Sequence, residues 1–334
     1  MTGLRSEGYR RLSAGLASLG DSDLAELIGN GRGHSVGVGG GAAVFDFGGV
    51  PVFAKRIPLS DRELDQPGST ANHFDVPLHC QYGFGGPSSN AWRELAANRI
   101  VTEAVLAGET QAFPMLYHWR VLDGRPPIAA EHADIAAVVA AQGGSAAVRT
   151  RLEAVADARS SLALFSEYIP HDISEVLRDN PIGKAIAVER QLSEIVTLLR
   201  DRQLLHMDAH FGNIRSDGAR IYLTDFGLAT SPNFDLSPAE RAFVARHATY
   251  DSDYTAMRLV NWLVTDVCGM PTPAHDGAIA RNEYVRQCAT GRIPVDVPSP
   301  VADILTRHAP AAAAMNAFVW KLFDGEWNTE YPVR

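Results

Sequence analysis

Cysteine is scarce: Cys80, Cys268 and Cys288 are the only three in 334 residues. No two of them take the spacing of a zinc site or a disulfide framework, so they read as small buried hydrophobes. Long apolar runs are missing as well; none approaches the ~18 residues that a membrane-spanning helix needs. The N-terminal stretch has no extended apolar core of the secretory kind, which makes the cytoplasm the expected location and a membrane an unexpected partner. Positive charge is in deficit, with 30 Lys+Arg against 39 Asp+Glu and a formal net charge of −9. Such a balance argues against nucleic acid as the main partner, because phosphate backbones demand basic stripes; it is compatible with a cationic acceptor. Repeats and low-complexity tracts are absent. What remains is an ordinary globular composition, 46% hydrophobic and 21% charged, in a chain long enough for a sizeable core.

Against that background one stretch stands out. From His206 to Ala229 the chain reads HMDAHFGNIRSDGARIYLTDFGLA. It contains His-x-Asp-x-x-x-x-Asn (His206, Asp208, Asn213) and Asp-Phe-Gly (Asp225, Phe226, Gly227). Between the two lies Arg220-Ile221-Tyr222-Leu223-Thr224, a short strand after an Asp217-Gly218 turn. His206, Asp208 and His210 alternate and so lack the His-Glu-x-x-His spacing of a protein zinc site.

This order of motifs resembles the protein-kinase-like superfamily, which includes protein kinases and aminoglycoside phosphotransferases. The Asp225-Phe226-Gly227-Leu228-Ala229 run resembles the protein kinases, whereas His210, two residues after Asp208, resembles the small-molecule kinases. The resemblance implies that Asp208 accepts the proton of an attacking hydroxyl, that Asn213 and Asp225 hold Mg²⁺ against the phosphates of ATP, and that His206 anchors the loop. His210 either contacts the acceptor or packs within the loop. One departure is the lack of Ala-Pro-Glu; the nearest echo is Ser237-Pro238-Ala239-Glu240, close behind Asp-Phe-Gly, so control by phosphorylation of a long activation segment is not expected.

The first part of the chain fits the same pattern. Residues 4–19 have helical spacing, residues 24–28 read as a first strand, and a glycine-rich run follows from 29 to 41. Residues 43–47 and 50–57 then read as strands joined by a Gly48-Gly49 hairpin turn. Glycine backbones can close over phosphates without a Cβ in the way, which makes Gly31, Gly33 and Val36 candidate nucleotide contacts, although His34 stands where the third glycine belongs. Lys55, in Val52-Phe53-Ala54-Lys55, matches the strand lysine that meets the α/β-phosphates. Its expected carboxylate partner is Glu94, on a helix over residues 92–100, with Glu103 as the fallback.

Two insertions are expected. The first, 58–90, is rich in glycine and proline and carries Tyr82 and Phe84; it reads either as a lid or acceptor-recognition element or as a structural wrap. The second, 129–158, is alanine-rich and helical with a break at Gly143-Gly144-Ser145. Residues 114–122 and 162–165 read as strands. Residues 167–170 follow as a hinge, where main-chain groups of Glu167, Tyr168 and Ile169 would meet adenine. A core helix over 186–203, with Ile186, Leu192, Ile195, Val196 and Leu199 on one face, leads to the loop of Asp208. Further helices are expected at 238–247 and 254–267.

The expected fold is therefore α+β, a two-lobed kinase-like arrangement. Residues 1–166 form a β-rich N-lobe with both insertions, 167–170 the hinge, and 171–334 a mainly helical C-lobe. The expected activity is transfer of the γ-phosphoryl of ATP, with Mg²⁺, to a hydroxyl. Ser/Thr of a protein or peptide leads as acceptor. A small molecule of the antibiotic type, or a nucleotide-binding module without turnover, are the alternatives.

Overall fold

The computed structural model describes residues 2–271 and 278–332. The fold is α+β, with a five-stranded antiparallel sheet and many helices. The chain divides into two compact units, 1–169 with 224–243, and 170–223 with 244–334. The Asp225-Phe226-Gly227 segment thus groups with the first unit, whereas the sequence reading puts it with the residues after the hinge.

In the first unit, helix α1 (Thr2–Ala17) and helix α2 (Asp21–Gly29) precede the sheet. Residues 24–28 are helical, which corrects the expectation of a strand there. Asp23 accepts the Gly20 N–H at 3.2 Å, and Leu24 and Ile28 are buried one turn apart, so a capped start and an i, i+4 apolar pair outweigh a short apolar run. The glycine-rich run is likewise not one open loop. Strand β1 (Arg32–Gly37) occupies its middle as an exposed edge, and only Val38 and Gly39 turn the chain into β2 (Gly40–Phe47). Gly40 adopts φ 123, and a Cβ there would lie 2.1 Å from the Arg56 carbonyl oxygen, so only glycine permits this approach. Gly48 and Gly49, at φ 62 and 80, make the tight turn into β3 (Val50–Leu59).

A short helix α3 (Asp61–Leu64) follows, then α4 (Ala91–Leu106), β4 (Leu116–Asp123), α5 (Ile135–Ala141), α6 (Ala146–Ala156) and β5 (Ser160–Glu167). Strand order is β1-β2-β3-β5-β4, which puts β3 at the centre. Its register pairs Lys55 with Ala42 on one side and Leu164 on the other. Ile57 and Leu59 share the Lys55 face of β3. With Leu162 and Leu164 they pack against Ala91, Trp92 and Leu95 of α4, so one core both buries the sheet face and seats α4 beside Lys55.

The second unit has a small sheet of β6 (His171–Asp172), β7 (Ile214–Ser216) and β8 (Ile221–Leu223). Around it lie α7 (Ile173–Arg178), α8 (Pro181–Asp201), the C-terminal end of α9 (Pro238–Arg246), α10 (Tyr250–Asp266), α11 (Ala278–Ala289) and α12 (Ser299–Phe323). Helix α8 begins with proline, whose missing N–H costs nothing in a first turn, and the Asn180 side chain accepts the Gly183 N–H at 3.0 Å. Its buried face runs through Ala185, Val188, Leu192, Ile195 and Leu199; Ile186, expected on that face, is 58% exposed because it lies about 100° round the helix from Ala185. Helices α10 and α12 are joined by a reciprocal pair of buried hydrogen bonds between Asn261 and Asn316, at 2.9 and 3.0 Å.

Candidate active site

In the first unit three charged side chains converge. Lys55 Nζ donates to Glu94 Oε1 and to Asp225 Oδ1, both at 2.8 Å. Lys55 and Glu94 are buried, while the Asp225 side chain keeps 44% of its surface exposed. Glu94 reaches the lysine from the first turns of α4, whose N-cap Asn90 accepts the Trp92 N–H at 2.8 Å. Glu103, the fallback partner, points to solvent further along the same helix.

Two carboxylates share this one ammonium. Burial acts to lower the Lys55 pKa, but Asp225 and Glu94 outweigh it and hold the lysine above its ordinary value. For Glu94 burial dominates and pushes the carboxyl up to about 7; Lys55 opposes the shift and the neighbouring Asp225 charge adds to it. With both carboxylates ionised the cluster would carry one negative charge more than Lys55 can match, and the raised Glu94 carboxyl lessens that surplus by holding its proton more readily.

Asp225 stands in the left-handed region at φ 62, and its Oδ1 also accepts the Gly227 N–H at 3.2 Å. A Cβ on Gly227 would lie 3.2 Å from that Oδ1 and 3.4 Å from Glu94 Oε2, so glycine keeps the turn open for both carboxylates. Phe226 is buried against Phe113, with ring centroids 6.2 Å apart, and anchors the turn from below.

Gly39 is a functional candidate that the sequence reading missed. A Cβ there would stand 2.9 Å from Lys55 Nζ and 3.9 Å from Asp225 Oδ2, so the backbone of the β1–β2 turn passes directly beside the cluster. Gly31 and Gly33 lie at the start of β1 instead, and Val36 is 41% exposed on that edge strand. The glycine nearest the charges is thus at the tip of the turn, and the register of β1 on β2, which locates that tip, has no local signature.

The residues expected to meet adenine are partly committed. The Glu167 N–H donates to the Met115 carbonyl oxygen at 2.9 Å, and its carboxylate binds Arg5 at 2.5 Å. Tyr168 is half-buried and Ile169 buried.

In the second unit, Asp208 and Asn213 lie on one loop. Asn213 Nδ2 donates to the Asp208 carbonyl oxygen at 2.9 Å and to Asp208 Oδ2 at 3.1 Å, which orients the carboxylate. His206 is fully buried, and its Nδ1 accepts the Asp208 N–H at 3.2 Å. It therefore serves as a strut of the loop. The His210 ring lies 3.6 Å from Asp208 Oδ2 and is 36% exposed, folded over Gly212, where a Cβ would sit 2.7 Å from the ring.

Asp251, on the first turn of α10, went unnoticed in the sequence. Its carboxylate accepts the N–H groups of His206 at 2.6 Å and Met207 at 2.9 Å, holding Met207 at φ 67. Burial pushes its pKa up to about 6 although both amide bonds pull the other way. An acidic residue opening a helix is commonplace, so nothing nearby in the chain flags it.

Could these residues hold a nucleotide and its metal? The lysine offers a cation for phosphate oxygens, and at Gly39 only the missing Cβ leaves room beside it. Asp225 and Asn213 are oxygen donors, as a hard cation such as Mg²⁺ requires. No cluster of three or more His, Cys, Asp or Glu occurs among the described residues. Among the described residues no helix is long and apolar enough to cross a membrane. No protein-family model matches the sequence, and no curated protein matches it either.

Proposed function

We propose that this chain is an ATP- and Mg²⁺-dependent phosphotransferase of the two-lobed protein-kinase-like type, acting on a hydroxyl acceptor. One observation carries the reading: the Lys55 ammonium, on the central strand of a five-stranded antiparallel sheet, is held at 2.8 Å by both Glu94 of α4 and Asp225 of the Asp-Phe-Gly turn. A buried lysine with two carboxylates is an expensive arrangement for stability alone, because removing charges from water costs several kcal/mol per ion.

When bound, Mg²⁺ and ATP supply the transferable phosphoryl group and the charge that neutralises its oxygens. The chain's own residues do the rest by positioning. Lys55 offers its ammonium to phosphate oxygens, and Glu94 keeps the side chain extended along its line. Asp225 and Asn213 present the oxygens that would hold the metal. Asp208, its carboxylate steadied by Asn213, orients the acceptor hydroxyl and takes its proton. His206 and Asp251 keep the loop that carries Asp208 in shape.

The leading acceptor is Ser/Thr of a protein or peptide. The half-exposed His210 ring beside Asp208 favours, as the second reading, a small molecule whose hydroxyl lies against that ring.

The test is transfer of label from γ-labelled ATP with Mg²⁺ into extract, resolved into macromolecular and small-molecule fractions, with Asp208→Asn as the blank. The expected result is label in the protein or peptide fraction that falls about a hundredfold or more in the variant. Label in the small-molecule fraction would select the second reading, and no label above the blank would leave no phosphotransferase.

A further inference from the structure

Arg93 sits next to Glu94 on α4 and is 2% exposed. Neighbouring residues on a helix point about 100° apart, so while Glu94 reaches Lys55, Arg93 reaches a different set of partners. Its Nε donates to the Thr70 carbonyl oxygen and its Nη2 to Glu240 Oε1, both at 2.6 Å. Glu240 belongs to α9, in the segment behind Asp-Phe-Gly, and its second oxygen accepts the Ser237 N–H at 2.9 Å.

The same spot is tied from both sides. The Thr70 N–H and Oγ1 donate to Asp235 Oδ2 at 2.9 and 3.1 Å, and the Asp235 N–H donates back to Thr70 Oγ1 at 2.8 Å. Asn90, the N-cap of α4, donates to the carbonyl oxygens of Ser69 and Ala71 at 2.8 and 2.7 Å. The Ala91 N–H, first in the helix, donates to Glu63 Oε1 at 2.8 Å. Residues 69–71 of the first insertion therefore form a strap with α4 on one side and residues 235–240 on the other.

We infer that Arg93 is a positioning residue: through Thr70 and Glu240 it fixes the start of α4 against the segment behind Asp225, and so sets the Lys55–Glu94–Asp225 triad. The 58–90 insertion is on this account a brace for α4 and not a lid. The hydroxyls of the segment are consistent with it. Thr230 and Ser231 are buried, Ser237 Oγ accepts the Glu240 N–H at 3.2 Å, and the Asp235 and Glu240 carboxylates tie residues 235–240 to Thr70 and Arg93.

Only the kinetic arm of the test rests on the phosphotransferase reading; the structural arm does not. The chain has three lysines, Lys55, Lys184 and Lys321, so the reactivity of each amine can be followed separately. Acetylation by a water-soluble succinimidyl ester, quantified by mass spectrometry of the Lys55 and Lys321 peptides, reports how firmly the triad holds Lys55, with exposed Lys321 as the internal standard. The variant is Arg93→Met/Glu240→Met, which removes both charges and leaves neither buried alone. With the fold retained by circular dichroism and a cooperative melt, Lys55 acetylation relative to Lys321 should rise about tenfold, because an amine released from Glu94 and Asp225 is open to the reagent for more of the time. The kcat should fall about tenfold to a hundredfold, as for a displaced catalytic group.

A folded double variant with unchanged Lys55 acetylation overturns the inference, whatever its activity. Should the double variant fail to fold, Arg93→Lys keeps the charge but cannot span Thr70 and Glu240 together; an intermediate acetylation rate supports the inference and a wild-type rate overturns it. A wild-type protein without phosphotransfer would end the functional reading and leave the acetylation comparison to decide the role of Arg93.

Discussion

Met207 and Asp225 carry a positive φ without being glycine, and each stands in a loop that bears the proposed chemistry. Such a backbone costs an L-residue roughly 1–2 kcal/mol and persists only where the surroundings over-determine it. At Asp225 the side chain itself helps, by accepting the Gly227 N–H. At Met207 the help comes from Asp251, which takes two successive amides of the loop. The pKa of Asp251 is raised from 3.8 to about 6. The folded state therefore binds its proton more tightly than the unfolded state does, and the contribution to stability is full below pH 3.8 and is lost as pH rises through 6. Asp251→Asn removes that titration and weakens one amide bond, at a cost of about 1–3 kcal/mol. In urea unfolding, the advantage of wild type over Asp251→Asn should be larger at pH 4.5 than at pH 6.5, by something on the order of 1–3 kcal/mol. A gap that stays level or narrows at the acid end would refute the assignment.

Among the elements, the two insertions turn out to be one body. Phe74, Val76 and Cys80 of the first share a core with Val138, Val139, Val148 and Leu152 of the second. Arg151 and Glu63 close it with a fully buried fork, at 2.7 and 3.0 Å, and the Arg62 and Arg151 guanidinium groups lie over the Phe74 ring. Arg151→Met leaves Glu63 charged with no cation, which should cost about 3–5 kcal/mol. Amide exchange should then quicken in residues 74–82 and in 138–152 together; loosening of one insertion alone would mean they are separate. No reading of the sequence pairs these segments, since their contacts join residues from 62 to 88 positions apart, as in Cys80 with Gln142 and Glu63 with Arg151, and follow no period. The strands from 43 to 57, the helix of Glu94 and the break at 143–145 were visible because each is announced by its own turn residues or periodicity. Residues 24–28 and Ile186 misled for the converse reason: a short apolar run does not declare its period. Lys55, Glu94 and Asp225 could be picked out from local patterns, and the structure brings them together. Their supports, Gly39, Arg93 and Asp251, are ordinary residue types whose importance arises only from what the fold places beside them.

For the molecule as a whole, each unit is assembled from two stretches of chain, and the crossing at Leu223–Thr224 leaves Asp208 and Asn213 in one unit and Lys55, Glu94 and Asp225 in the other. The proposed nucleotide contact of Lys55 and the proposed proton transfer of Asp208 should therefore separate cleanly in a measurement that reads binding without turnover. A ligand that binds only the folded state stabilises it by RT ln(1 + [L]/Kd), about 2.7 kcal/mol at a hundredfold excess over Kd. For a chain of this length, or for one unit melting alone, this corresponds to a rise in Tm of about 4–7 °C. Wild type and Asp208→Asn should both show that rise with Mg²⁺ and ATP, because in the proposed mechanism Asp208 acts on the acceptor. Lys55→Met should lose most of it, since the missing ammonium is the charge proposed to meet the phosphates, and the two carboxylates left behind would repel them. Because Lys55→Met also removes a buried ion pair, its own Tm without ligand is the reference, and only the ligand-dependent rise is compared. An undiminished rise in Lys55→Met would mean that any nucleotide binds elsewhere, and the triad would then have to be explained as structure alone.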